Sequence, residues 1–255
     1  MSWIEISALF SAGMAAGMIN TIVGSGSLVT FPTLLAFGLP PVTANVTNTI
    51  GLVPGSLSGA IGYRRELRGQ GSRMIRLGVA ACLGGALGAG LLLWLPARAF
   101  DTIVPALILL GCALVIAGPT INRRAGERSK DSAGSISGFR TNWVAPAVAA
   151  TGVYGGYFGA AQGVLLIAIL SIGINDDLQR LNALKNVLAM LVNAVAAVIF
   201  VFVSHVDWPV AIILALGAAL GGQIGAGVGR RLPAWVLRTF IVLVGLTAVI
   251  VLIVD

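Results

Sequence analysis

Apolar segments follow one another along the sequence, near residues 4–37, 41–63, 73–95, 99–121, 141–174, 177–204, 207–229 and 233–254, punctuated by Pro, Gly or charge. A helix of about 20 apolar residues crosses a hydrocarbon core of roughly 30 Å. No stretch between the segments is long enough for a separate soluble domain, so the pattern predicts an all-α polytopic membrane protein built as one unit. The composition agrees: 57% of residues are hydrophobic and 10% charged, against roughly 25% charged in a soluble domain. The net charge of +7 does not indicate nucleic acid. Its 16 Lys and Arg cluster in and beside the connecting segments without interleaved aromatics, where their role is topological. Cys82 and Cys112 fall inside spans beside small apolar residues and read as small buried side chains, not as a disulfide or metal pair. The N-terminal run Met1-Ser2-Trp3-Ile4-Glu5 lacks the positive region of a signal peptide and is expected to be retained.

Two segments are too long for one straight span. Residues 4–37 and 141–174 each run to 34 residues, about 51 Å of helix. Both are interrupted by small residues, Gly24-Ser25-Gly26-Ser27 in the first and Gly159-Ala160-Ala161-Gln162-Gly163 in the second. Glycine there weakens helix and permits tight turns. A shift of 135 superposes Gly17 on Gly152, Gly24 on Gly159, Leu35 on Leu170 and Gly38 on Gly173; a shift of 137 pairs Asn45 with Asn182 and Thr49 with Asn186. The chain therefore reads as two related halves, about 4–121 and 141–254, joined by a polar linker over 122–140.

Charge bears on how the long segments run. If all eight segments cross, the Lys and Arg divide 10 to 6 between the faces. If the two long segments are re-entrant hairpins with the breaks at their tips, the division is 15 to 1, with Arg98 alone on the minor face. The positive-inside rule favours the hairpins and places the basic face in the cytoplasm, with both termini on the extracytoplasmic side. A spanning broken helix stays open, because the first arm is long enough to cross alone. Each half then holds one hairpin, or broken helix, plus three spans. With hairpins that number of crossings is odd and the second half is inverted, an architecture found in transporters.

Irregular backbone at membrane depth is tolerated where protein shields it or where it lines a wet cavity. The breaks at Gly24, Gly26, Gly159 and Gly163 thus mark a candidate pathway, and helix starts beyond them present N–H groups and positive dipole ends suited to an anion. Ser25, Ser27 and Gln162 add neutral donors. The alternative is that the glycines only let helices approach closely. Asn20 and Thr21 precede the first break, and Thr47, Asn48 and Thr49 cluster on the next helix. Asn182 and Asn186 share a helix face. These groups suit either substrate contact or interhelical hydrogen bonding. Lys185 lies ~12 Å of helix beyond Asp177 and is the deepest formal charge; it suits an anionic substrate or snorkels to the interface. Asp176, Asp177 and Arg180 read as interfacial, and His205 as a solvated loop residue. No Asp or Glu lies centrally in a span, so a carboxylate proton relay has no candidate. No P-loop or metal-ligand cluster is present, and no metal or cofactor is expected. A potential of 100 mV is worth ~4.6 kcal/mol on a departing dianion, enough to drive export.

The run Ala16-Gly17, Gly24-Ser25-Gly26-Ser27-Leu28, Pro32, Leu34-Leu35, Gly38-Leu39-Pro40-Pro41, Ala44, Thr47, Ser58-Gly59 and Tyr63-Arg64-Arg65, together with Asn182-Ala183-Leu184-Lys185-Asn186, resembles the sulfite exporter TauE/SafE family of prokaryotic membrane transporters. It departs from the family in Ser25 and Ser27, where a more glycine-rich loop is common, and in Ala160-Ala161. The resemblance implies a multi-pass carrier for sulfite, sulfoacetate or other organosulfonates, not an enzyme. Its partners are then a small anionic substrate and the lipid bilayer, with a homo-oligomer allowed and nucleic acid excluded. The rival reading is a membrane-embedded lipid-phosphate phosphatase, because Pro54-Gly55-Ser56-Leu57-Ser58-Gly59 is loosely similar to the phosphate-binding run of undecaprenyl pyrophosphate phosphatases. That run lacks the arginine, and the chain lacks the buried glutamates, that such chemistry needs. A membrane scaffold is a third reading.

Overall fold

The computed structural model describes residues 1–131, 143–228, 239, 241–244 and 246. Regular structure among them is helical: α1 (Trp3–Ile22), α2 (Ser27–Ala36), α3 (Pro41–Gly62), α4 (Gly71–Trp94), α5 (Ala97–Asp131), α6 (Val144–Tyr157), α7 (Gln162–Gly173), α8 (Leu178–Val203) and α9 (Trp208–Val228). The expected segments match these closely. The exception is α5, which continues about ten residues into the expected linker through a stretch rich in helix-forming Arg, Ala, Glu and Lys. The expected span 233–254 falls largely outside the described residues, as do Arg140, Arg230, Arg231 and Arg238.

Local chemistry sets the helix starts. Ser2 and Glu5 form a reciprocal capping box on α1, and proline opens α3. The Asp177 carboxylate accepts from the Gln179 N–H at 2.9 Å, and that of Asp207 from the Val210 N–H at 3.2 Å. Among the described residues, four helices are long and apolar enough to cross a membrane: 71–94, 98–120, 178–203 and 208–227. Their outer faces carry stripes at four-residue spacing, Ile75, Val79, Leu83 and Leu87 on α4 and Ile212, Leu216, Leu220 and Ile224 on α9, all exposed. In a bilayer these stripes face lipid.

Both long segments fold back on themselves. Gly26, the residue before α2, lies against the Ala16 carbonyl and Asn20 of α1, and Gly173 at the end of α7 lies against Val144 and Trp143 at the start of α6. Each long segment is thus a helical hairpin, and α1 alone is about 30 Å long.

Helix direction divides the bundle into two sets. Gly13 and Gly17 of α1 pack on Leu214 and Ala218 of α9, and Gly51 and Gly55 of α3 pack on the same two residues, so α1, α3 and α9 run one way. Gly84 and Gly88 of α4 meet Ala149 and Val153 of α6, and Gln70 just before α4 bonds Arg180 at the start of α8, so α4, α6 and α8 run together. This second set runs opposite to the first: Tyr63, just past the end of α3, clusters with Ala183 near the start of α8. At the other end, Thr47 near the start of α3 accepts from the Asp207 N–H beyond α8, at 3.2 Å. The two hairpins thus enter from opposite ends, and the long arm of each packs on a helix from the other half of the chain.

One end of the bundle is tied by polar groups between the turns. Asp176 bonds Arg73 at 2.5 Å and Arg180 at 2.8 Å. The Arg180 guanidinium also donates to the Arg68 carbonyl at 3.2 Å, and the Gln70 amide donates to the Arg180 carbonyl at 3.1 Å. Burial by itself would raise the Asp176 carboxyl, but hydrogen bonds from the Asp177 N–H and from both arginines outweigh it and hold the group below the ordinary aspartate value.

Candidate functional site

The two hairpin tips meet inside the bundle. Gly24 adopts φ +92°, a conformation glycine enters without a Cβ clash. Its carbonyl accepts from the Gly163 N–H at 2.9 Å. A Cβ on either residue would land on the other's backbone. The contact is therefore a backbone crossing that needs two glycines. Gly159 also has positive φ, +77°, and Ala161 stands at φ +60°. On the second tip the Tyr154 hydroxyl donates to the Ala160 carbonyl.

Beside the crossing, α1 stops with carbonyls that have no helical partner. Three side chains on one face of α8 take them up. Lys185 Nζ donates to the Asn20 carbonyl at 3.1 Å and to the Thr21 carbonyl at 3.2 Å. The Nδ2 groups of Asn182 and Asn186 donate to the same Thr21 carbonyl at 3.4 and 3.3 Å. Lys185 is 0% exposed, so it does not snorkel to the interface. A cation on carbonyls at a helix C-terminus also meets the negative end of the helix dipole. Two of its three donors are engaged there, and an ammonium has a third.

The end of α6 is treated in a related but uncharged way. Asn45 Nδ2 of α3 donates to the Tyr157 carbonyl at 2.9 Å. Asn48, which the 137-residue shift places opposite Lys185, instead accepts from the Thr30 hydroxyl of α2. Asn20 Nδ2 donates to Ser56 Oγ at 3.2 Å. Amides and hydroxyls of α3 thereby pin both arms of the first hairpin.

The sequence candidates divide accordingly. Asn20, Thr21, Gly24, Ser25, Gly26, Gln162, Gly163, Asn182, Lys185 and Asn186 gather at the crossing and the α1 end. Thr47 is held at the α9 start, away from the crossing, and Thr49 bonds back to the Asn45 carbonyl of its own helix at 2.9 Å. Ser27 opens α2 and is half-buried. Ser25 Oγ and Gln162 Nε2, each one residue from the Gly24–Gly163 contact, are buried polar atoms without a hydrogen-bond partner. Such atoms cost about 1–3 kcal/mol each unless something satisfies them, which makes them the free donors of the site. Sequence reading misses Thr30 and Ser56, since a lone hydroxyl in an apolar helix carries no spacing signal. The run Pro54–Gly59 lies inside α3, where Gly55 packs on Ala218 and Gly59 on Thr21.

Relatives share this chain's length. A probable membrane transporter protein, ORF9, of a Sinorhizobium species is 26% identical over 247 residues, 97% of this chain and 92% of its own. A probable membrane transporter protein of Haemophilus influenzae is 26% identical over 218 residues, covering 86% and 82%. The Bacillus subtilis probable membrane transporter protein YdhB is 27% identical over 236 residues, covering 92% and 93%. No solved structure matches the chain. The model of the family described as sulfite exporter TauE/SafE matches residues 9–252, and with almost the whole chain covered, the protein belongs to that family of membrane transporters.

Proposed function

We propose that this membrane transporter carries sulfur-containing anions, such as sulfite, sulfoacetate or other organosulfonates, outward across the inner membrane, with the substrate bound where the hairpin tips cross. One observation carries the reading. The only formal charge at the crossing among the described residues is the buried ammonium of Lys185; the α1 end it meets carries partial negative charge only, and the α2 start and the unpartnered Ser25 and Gln162 add positive dipole and neutral donors. An interior of that sign selects anions. The opposed hairpins and the internal similarity support an inverted pair of halves, about 4–121 and 141–254, that rock about the crossing to expose it alternately. The excess of Lys and Arg on one face supports termini on the extracytoplasmic side.

The test is anion flux from proteoliposomes under an imposed potential. Sulfite or sulfonate efflux is expected to rise with inside-negative potential, and Lys185→Ala is expected to slow it at least tenfold, since a lost charged hydrogen bond of about 1.5–3 kcal/mol corresponds to that factor. Ser25→Ala is expected to slow it less. Flux of every tested sulfur anion unchanged in Lys185→Ala removes the site.

A further inference from the structure

The anion reading leaves one feature unexplained: why the one buried cation among the described residues faces backbone carbonyls. In transporters built on broken helices, carbonyls at the C-terminal end of a half-helix hold a coupling cation. Such an end carries about −0.5 elementary charge. Here the last turn of α1 supplies two carbonyls, from Asn20 and Thr21, at 3.1 and 3.2 Å from Lys185 Nζ. The amides of Asn182 and Asn186 close on the Thr21 oxygen from the same helix face. The cup is built from buried Thr21, Lys185 and Asn186 with half-buried Asn20 and Asn182, and is already filled. At the end of α6 the corresponding position is Asn48, which is turned to Thr30, and the Tyr157 carbonyl receives only an amide. Charge is supplied at one hairpin end and not at the other.

We propose that Lys185 is a tethered counter-cation: its ammonium occupies a carbonyl cup that would otherwise take a free alkali-metal cation, so that the protein holds its first hairpin without bound Na⁺ or K⁺. The inference rests on reading the crossing as the transport site, but its test measures thermal unfolding and cation dependence, not flux. A failed anion assay leaves those midpoints where they are.

Purified native protein is expected to show the same unfolding midpoint in NaCl, KCl and N-methylglucamine chloride. Lys185→Ala empties the cup and leaves room for propylammonium; its midpoint is expected to fall and to be restored in large part by propylammonium, Na⁺ or K⁺, since a ligand bound only to the folded state raises its stability. Lys185→Met fills the space without charge and is expected to stay low and unresponsive. If Lys185→Ala does not fold in ordinary buffer, expression and extraction in propylammonium chloride are expected to recover it. Three results overturn the proposal: a native midpoint that falls when Na⁺ and K⁺ are withdrawn, a response of Lys185→Met equal to that of Lys185→Ala, or a Lys185→Ala protein that no cation restores or recovers.

Discussion

Gly24 and Gly38 separate two costs that a glycine substitution usually mixes. Both have positive φ, +92° and +80°, so alanine at either carries a backbone penalty of about 1–2 kcal/mol. A Cβ at Gly38 meets open space, whereas a Cβ at Gly24 meets the Gly163 backbone, and overpacking adds about 1–3 kcal/mol. Gly24→Ala is therefore expected to cost roughly 2–5 kcal/mol and Gly38→Ala only the conformational part, read as unfolding midpoints in detergent. Equal losses at the two positions would mean that the tips do not touch. The glycines of the break were legible in the sequence because helix-breaking residues stand out in an apolar run. Their partner was not: nothing in the residues around Gly24 points to a position 139 further along the chain. Asn182, Lys185 and Asn186 could likewise be read as one helix face, but the α1 carbonyls that receive them are backbone, which no side-chain pattern announces.

Hydropathy located the helices to within a few residues because lipid-facing and core-facing positions are both apolar, but for that same reason it said nothing about which helix touches which. The pairing is set by small residues at close approach, as for Gly217 and Gly221 of α9 against Phe10 and Met14 of α1. Between elements, the polar tie at one end of the bundle carries a pH signature. Asp176 is held below its ordinary value, so its contribution is fully present above the unfolded value near 3.8 and is lost as the pH falls through the lower folded value. Because the Arg73 side chain is 43% exposed, solvent screening limits the tie to about 1 kcal/mol or less. Asp176→Asn is expected to lower the midpoint by that modest amount at neutral pH and to flatten the acid limb below about pH 4. An acid limb identical to the native one would assign that titration to other carboxylates.

For the molecule as a whole, the decisive fact is that each hairpin is seated in the other half. Gly13 and Gly17 of α1 lie on Leu214 and Ala218, and Gly152 and Gly156 of α6 lie on Ala81 and Gly85. In lipid there is little hydrophobic drive between helices, so close van der Waals packing and hydrogen bonds hold the bundle. A half expressed alone keeps its hairpin but loses the glycine-lined seat for its long arm, and the carbonyls at its tip lose Lys185 or Asn45. Residues 1–137 and 138–255 produced as separate chains are accordingly expected to co-purify and to unfold together near the native midpoint. Either fragment alone is expected to show no cooperative transition. A first fragment that unfolds cooperatively by itself would mean that the halves are independent units, and motion of one against the other would then be free of the crossing. The interlocked packing instead ties the two halves together through the Gly24–Gly163 contact and the glycine-lined seats of α1 and α6.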